Sequence, residues 1–183
     1  MKRYVYFFGG GRADGSAAMK AVLGGKGAGL AEMTNLGVPV PPGFTISAEL
    51  SIEYIKTKKV PPGFRPEVES NLRRMEELMG RQFGSTERPL LLAVRSGAAV
   101  SMPGMMDSIL NLGLNDAVVE SLAKETGNPV FAYDAYRRFV QMYGDVVLGL
   151  KGSRSPFEHL IAEMKKTRGV KRDIDLSAAD LRG

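Results

Sequence analysis

The sequence has no cysteine, no tryptophan and a single histidine among its 183 residues. The absence of cysteine excludes disulfides and thiolate metal sites in this stretch, and it is typical of a reducing compartment. One histidine, His159, excludes a histidine-rich metal site and supplies no nucleophile–base pair by itself. Long apolar runs are also missing, because glycines end the run at residues 4–8 well short of a signal-peptide core or a membrane span. We therefore expect a cytoplasmic protein.

The charge balance is mildly basic. The chain has 25 Lys and Arg against 20 Asp and Glu, a formal net charge of +5. Such an excess suits an anionic partner, and nucleotide phosphates qualify as well as nucleic acid does. Nucleic acid is disfavoured because the sequence has no basic patch interleaved with aromatics and no recognisable reading motif. The one loose basic cluster, at residues 165–172, is interpreted as a solvated helix end. We expect neither nucleic acid nor membrane as a partner.

The spacing of apolar residues predicts a chain of mixed α and β structure. Strands are predicted at residues 4–8, 44–46, 90–94 and 108–112. Helices are predicted from the glycines at 24–29 to Gly37, from Ser47 to about residue 55, and from Pro66 at a first helical position to Gly80. Two later helices begin at Asn128-Pro129 and at Ser155-Pro156, the second with Glu158 completing a capping box.

A helix start also lies close to the end of the chain. Ser177 and Asp180 form a capping box, and Leu176 and Leu181 form its hydrophobic staple. The sequence stops at Gly183, before such a helix has a body. This pattern predicts that the chain is a piece of a longer protein.

A glycine-rich segment surrounds a lysine ahead of a predicted helix. In the run 23–30, glycines flank Lys26 on both sides. Glycine lets the backbone approach an anion closely and the ammonium group adds a point charge, so the pattern suits phosphate binding. It is not a Walker A loop, which needs Ser or Thr after the lysine, and its glycines are too closely spaced for the dinucleotide pattern. From local chemistry alone, a turn with a surface lysine and no ligand is an equally good interpretation.

A second candidate motif follows a predicted apolar strand. Arg95 and Ser96 come directly after residues 90–94, at the kind of position where α/β folds place ligands. A guanidinium fork matches phosphate oxygens, although an arginine paired with an acid is also common at a strand end. The loop at residues 101–107 then combines Met with Gly and Pro. We interpret it as an adaptable lid over a nucleotide in preference to a Met-rich plug in a core.

Read together, these segments resemble a known family. Residues 23–33 with 36–44 resemble the N-terminal signature of the phosphoenolpyruvate-forming dikinases. The block at 94–98 and 101–116 is similar to pyruvate phosphate dikinases in particular, since the water dikinases carry a different loop after the same arginine. Residues 127–143 look like the same family, so the resemblance covers essentially the whole chain.

The resemblance implies a fold and a set of contacts. The fold class is α+β (α/β), with an ATP-grasp-like N-terminal subdomain at residues 1–115 followed by a small helical subdomain at 116–183, truncated at its C-terminal end. Lys26 and Arg95 would contact the nucleotide phosphates, and the loop 101–107 would cover them. The nucleotide-binding residues implied in this way are Lys26, Arg95, Ser96, Ser101, Gly104, Met105, Met106 and Asp107.

It also implies that much of the enzyme lies outside this chain. Family members are several times longer, are expected to form homodimers, and interconvert ATP, phosphate and pyruvate with AMP, diphosphate and phosphoenolpyruvate through a phosphohistidine. The Mg²⁺ ligands are expected beyond residue 183, and the Thr-Ser-His context of the phosphorylated histidine is absent here. His159 is interpreted as structural. The chain alone is therefore expected to be inactive and to bind ATP weakly.

Two alternatives stay open at this point. The chain would be a free-standing, dikinase-like nucleotide-binding module if its natural length were 183 residues. The second alternative is that the chain is the ATP-binding part of a pyruvate water dikinase. The unfinished helix at Ser177 favours a fragment over a module.

Overall fold

The computed structural model describes residues 2–96, 107–151 and 155–182. Its strands are β1 (Val5–Gly9), β2 (Arg12–Ala13), β3 (Gly43–Ile46), β4 (Leu92–Arg95) and β5 (Ser108–Leu112). Its helices are α1 (Lys20–Asn35), α2 (Ala48–Thr57), α3 (Phe64–Met79), α4 (Asp116–Thr126), α5 (Pro129–Val146), α6 (Pro156–Arg168) and α7 (Ala178–Arg182). The expected mixture of α and β structure is confirmed.

The contacts divide the chain into two compact units. The first unit comprises residues 1–80 and 96–106, and the second comprises residues 81–95 and 107–183. The boundary expected at residue 115 concerns the subdomains of the complete protein and stays a prediction.

The first unit is built on an antiparallel sheet in the order β2-β1-β3. Side chains alternate between the faces of β1, so Val5 and Phe7 are buried on one side while Tyr6 contacts α1 on the other. The cluster beneath the first face joins this sheet to α2 and α3 and consists of Tyr4, Val5, Phe44, Leu50, Phe64 and Val68.

Helix α1 has a break near its start. Gly24 has φ 69° and ψ 170°, so the helix runs from Lys20 to Leu23, breaks, and resumes at Gly25. Its end is as predicted, because Gly37 has φ 81° and the amides of Gly37 and Val38 close a Schellman motif. The buried side of α1 consists mostly of small residues, whereas the larger apolar side chains of Met33 and Leu36 are exposed.

The second unit packs a two-stranded antiparallel sheet, β4 and β5, against α5. Helix α5 also packs along α4 and α7, and the core of this unit lies among these helices around Val118, Val119 and Ala132. Asn128 caps α5 by accepting a hydrogen bond from the Phe131 amide, with Pro129 at the first helical position as predicted.

Two predicted details of helix starts differ from the structure. Helix α3 begins at Phe64, so Pro66 occupies its third position and not its first. The capping box at Ser155 is wrong, because the Ser155 hydroxyl donates instead to Asp145 Oδ1 at 2.9 Å. The capping box at Ser177 and Asp180 is confirmed by reciprocal hydrogen bonds of 3.0 and 3.2 Å.

The basic cluster at the end of α6 is paired and not simply solvated. Lys165, Arg168 and Arg172 form ion pairs with Asp173, Asp180 and Asp175, respectively. The pairs of Lys165 and Arg168 connect the end of α6 to the following segment and to α7, respectively, and the pair of Arg172 lies within that segment. Within the part of the chain that the structure describes, no helix has the length and hydrophobicity needed to cross a bilayer.

Candidate functional site

The glycine-rich segment forms a helix start with an exposed lysine beside it. The break at Gly24 places Gly25 and Lys26 in the first turn of the resumed helix, and both are exposed. The first amides of a helix have no partner within the helix and carry the positive end of its dipole. The segment therefore combines first-turn amides without a partner in the helix, a positive dipole end and an ammonium group, which together suit a phosphate.

Glycine is required at different positions of this segment for different physical reasons. Gly24 adopts a backbone conformation that only glycine tolerates well. Gly27 is buried, and a Cβ there would lie 2.7 Å from Thr45 Cγ2. A Cβ on Gly25 or Gly29, in contrast, would have no heavy atom within 4 Å. Conformation and close packing thus each account for one glycine.

The second candidate motif lies at the end of the β4–β5 pair where the chain leaves β4 and later enters β5. Arg95 is the last residue of β4 and lies opposite Ser108, so Asp107 is one residue from that pair. Although its sequence is apolar, strand β4 is largely exposed: Ala93 and Arg95 are exposed, and Val94 is 45% exposed. Arg95, Ser96 and Asp107, which lie on either side of residues 97–106 in the sequence, are therefore accessible.

A β-bulge distorts β5 next to this point. Leu92 pairs with Leu112 and Val94 pairs with Ile109, so β5 has one residue more than β4 in this interval. Asn111 occupies the bulge with φ 59°. Asparagine is one of the few side chains that tolerate this left-handed conformation, and strained residues of this kind concentrate at functional sites.

An open cleft of about 660 Å³ lies between β5 and α5, within the second unit. Most of its helical lining recurs at intervals of three and four residues along α5, which places these side chains on one face. The lining consists of Asp107, Leu110, Asn111, Phe131, Asp134, Ala135, Arg138, Gln141, Met142, Asp145, Val146 and Lys151.

The charges of the cleft do not favour an anion. Its two cations, Arg138 and Lys151, are outnumbered by three carboxylates. Arg138 Nε is also paired with Asp134 Oδ2 at 2.8 Å. Amide and carboxylate groups beside apolar side chains can hold a ligand with both polar and apolar parts, whereas a bare phosphate would meet carboxylate repulsion.

The predicted site residues fall in different parts of the structure. Arg95 and Asp107 come together at the end of the β4–β5 pair, and Lys26 lies in the other compact unit. Their convergence on one nucleotide stays a prediction. Four other predicted residues, Ser101, Gly104, Met105 and Met106, lie outside the described residues.

The side chains that could ligate a metal are dispersed along the chain. Within 2–96, 107–151 and 155–182, no three or more His, Asp or Glu side chains are grouped so as to hold a metal ion. His159 lies on α6 with a largely exposed side chain and Nε2 3.4 Å from Glu163 Oε1. The structural interpretation of His159 stays a prediction.

Thr45 and the cleft residues of α5 were not predicted from the sequence. The spacing of Asp134, Arg138, Gln141 and Asp145 along one helix face is the signal that could have found the cleft. No local signal marks Thr45, because its contact with Gly27 arises only when β3 packs against α1.

Comparison with known families settles the classification. Residues 20–63 and 55–145 match the family model described as "Pyruvate phosphate dikinase, AMP/ATP-binding domain", and these matches cover more than half of the chain. The chain belongs to the pyruvate phosphate dikinase family. Both candidate motifs, at Lys26 and at Arg95, fall within the matched residues.

Individual pyruvate phosphate dikinases match over nearly the whole chain. The enzyme of Clostridium symbiosum is 52% identical over 183 residues, which is 100% of this chain and 20% of the relative. The enzymes of Rhizobium meliloti (strain 1021) and Giardia intestinalis are 52% and 54% identical, and each match covers 98% of this chain and 20% of the relative. The chain therefore spans about one fifth of the length of these dikinases.

Proposed function

We propose that this chain is the ATP-binding part of a pyruvate phosphate dikinase. The complete enzyme would interconvert ATP, phosphate and pyruvate with AMP, diphosphate and phosphoenolpyruvate through a phosphohistidine. The observation that carries the proposal is the exposed Lys26 in the first turn of a helix that resumes after Gly24. This arrangement lies within residues matched by an AMP/ATP-binding family model.

Lys26 and the amides beside it would bind the phosphates. Positive groups fixed before the reaction stabilise the charge that spreads over the transferring phosphoryl oxygens, and this is the main protein contribution to phosphoryl transfer. Because Lys26 is exposed, the phosphates can reach its ammonium group without opening the core.

Arg95 would add a second phosphate contact from the end of β4. Its guanidinium can bind phosphate oxygens through two donors. Ser96 and Asp107 flank the loop whose Ser101, Gly104, Met105 and Met106 would cover the nucleotide and exclude water. The exposed positions of Arg95 and Asp107 support this assignment.

The remaining chemistry would belong to other parts of the complete enzyme. We propose that the domain has an ATP-grasp-like fold, that its Mg²⁺ ligands lie beyond residue 183, and that the complete enzyme is a cytoplasmic homodimer. The pyruvate site and the histidine that is phosphorylated would also lie in other parts of the complete enzyme. The isolated chain would then bind ATP weakly, because it holds only part of the nucleotide contacts.

Titration of the 183-residue chain with ATP, followed by amide NMR shifts, tests this proposal. We expect weak, saturable binding that shifts the amides of the turn at Gly25 and Lys26. Lys26→Ala should weaken ATP binding by about tenfold, the size expected for loss of one charge-assisted hydrogen bond.

Lys59→Ala is the matched control, because Lys59 is also exposed in the first unit and the substitution removes the same charge. Equal losses in the two variants would mean that binding depends only on net charge, and the assignment of Lys26 would be wrong. The dikinase reaction itself is tested in a chimera that joins this chain to the remaining residues of the Clostridium symbiosum enzyme. AMP formation that requires both pyruvate and phosphate is the expected result.

A further inference from the structure

The residue directly after Lys26 touches a side chain from a different element. Gly27 is buried against Thr45 of β3, where a Cβ would lie 2.7 Å from Thr45 Cγ2 and 2.9 Å from Thr45 Oγ1. Real Cβ atoms essentially never approach so closely. Gly27 is not among the residues with positive φ, so this glycine is required by space and not by backbone conformation.

Thr45 is itself held firmly. It lies in the middle of β3, opposite Tyr6 of β1, on the face of the sheet that contacts α1. A β-branched side chain has restricted χ1 freedom, so its γ atoms form a stiff contact surface. The helix start is also fixed before the break, because Leu23 packs against Gly15, where a Cβ would lie 2.4 Å from Leu23 Cδ1.

Among Gly25, Gly27 and Gly29, only Gly27 makes this close approach. Gly25 and Gly29 lie two residues before and after Gly27, and a Cβ at either position has no heavy atom within 4 Å. The contact with Thr45 therefore fixes how closely the first turn of the resumed helix lies against the sheet. Lys26 and the first amides are part of that turn.

We propose that Thr45 is a positioning residue for the phosphate contact. Its side chain sets the position of the helix start, and through it the position of the Lys26 ammonium group and of the amides beside it. This inference rests on the proposed function, because it assumes that Lys26 contacts a phosphate. Thr45 would act by its shape, so its hydroxyl would not be required.

Substitutions at the two positions test this role through ATP affinity in the 183-residue chain. Gly27→Ala should displace the first turn and weaken ATP binding by about tenfold, as much as loss of the Lys26 contact. Adding Thr45→Ala removes both atoms that a new methyl would meet and leaves Leu23 Cβ at 3.2 Å, so the double variant should return to within about threefold of the unsubstituted chain. Gly29→Ala is the matched control and should leave affinity unchanged.

A double-mutant cycle separates positioning from a general effect on stability. In a Lys26→Ala background, Gly27→Ala should weaken ATP binding by no more than about threefold, because the ammonium contact is already gone and only the amide contacts remain to be displaced. Gly27→Ala should lower the midpoint of thermal unfolding, measured in parallel, both with and without Lys26. If Gly27→Ala costs the same affinity with and without Lys26, Thr45 does not act through Lys26 and the inference is overturned.

A second comparison decides the question if Gly27→Ala does not fold. Thr45→Val keeps both γ branches and should retain ATP affinity within about twofold, whereas Thr45→Ala frees the helix start and should weaken binding by about threefold or more. Equal affinities of these two variants would overturn the inference. If Lys26→Ala has no effect on ATP binding, the proposed function fails, and the positioning role fails with it.

Discussion

At the scale of single residues, the break at Gly24 is the feature on which the candidate site depends most. Its φ of 69° with ψ of 170° lies in a region that is nearly exclusive to glycine. We expect Gly24→Ala to lower the free energy of unfolding by about 1–3 kcal/mol, the usual cost of such strain. Urea unfolding followed by circular dichroism measures the difference.

Gly25→Ala is the control for this substitution. Gly25 is exposed, has no positive φ, and has no heavy atom within 4 Å of a Cβ. Alanine in place of glycine at a helical position should therefore raise the free energy of unfolding by about 0.4–1 kcal/mol. A stabilising Gly24→Ala would show that the helix passes through Gly24 without the break.

The same segment shows what single residues reveal before a structure is known. Lys26 was predicted as a phosphate contact because glycines around a lysine form a local pattern with a chemical meaning. Thr45 and Asn111 were missed, because one depends on packing of β3 against α1 and the other on a bulge in the β4–β5 pair. Both arrangements depend on residues that are distant in the sequence, so no local pattern predicts them.

At the scale of elements, α5 and α6 meet through a glycine. A Cβ on Gly144 of α5 would lie 2.5 Å from Cε2 and 2.7 Å from Cζ of Phe157 on α6. Gly144→Ala should force the ring aside and destabilise the chain by about 1–2 kcal/mol, the cost of overpacking. Adding Phe157→Leu should recover part of this loss in urea unfolding. Equal stability of Gly144→Ala and the unsubstituted chain would mean that α6 does not pack here.

The turn between α6 and α7 should make stability depend on pH. The pKa of Asp173 is lowered mainly by the hydrogen bond from Lys165 Nζ, at 2.7 Å, and its partial burial opposes this shift. A lowered pKa means that the contribution to stability is present above the unfolded pKa of about 3.9 and is lost as the pH falls through the folded value. Asp173→Asn should therefore cost about 0.5–1 kcal/mol at pH 7, a modest value because the pair is partly exposed.

The difference between Asp173→Asn and the unsubstituted chain should shrink below about pH 4 and disappear at still lower pH. Thermal unfolding between about pH 2.5 and 7 measures this trend. Glu163→Gln is the control, because its partner His159 is largely exposed and their pair should contribute little. A constant difference at every pH would assign the effect of Asp173→Asn to packing.

Elements were predicted well where local chemistry determines them and less well where tertiary contacts compete. Asn128-Pro129 and Ser177 with Asp180 begin helices as expected, since capping needs only residues within one turn. The prediction of a capping box at Ser155 was wrong because the Ser155 hydroxyl donates its hydrogen bond to Asp145 on α5. The start of α1 at Lys20 was missed because the helix continues on both sides of Gly24, where the sequence suggests only a turn.

At the scale of the whole molecule, sequence reasoning succeeded through resemblance more than through pattern. Composition and charge allowed any anionic partner, and local chemistry left the glycine-rich segment undecided. The order of three separate motifs along the chain identified the family, which the match at residues 20–63 and 55–145 then confirmed. The division of the chain into two compact units was beyond such reasoning, since it depends on which residues pack together.

This division predicts that residues 81–183 fold without residues 1–80. The clusters around Val119 and Val118 contain only residues from Leu91 to Leu181, and Arg81 pairs with Glu125 in the same unit. A segment with its own core, larger than the roughly 60 residues at which many domains fold alone, should be stable by itself. Amide NMR peaks of α4 and α5 in residues 81–183 should therefore overlay those of the whole chain. Collapsed, poorly dispersed peaks would show that this core needs contacts from residues 1–80, and the two units would then be a single folding unit.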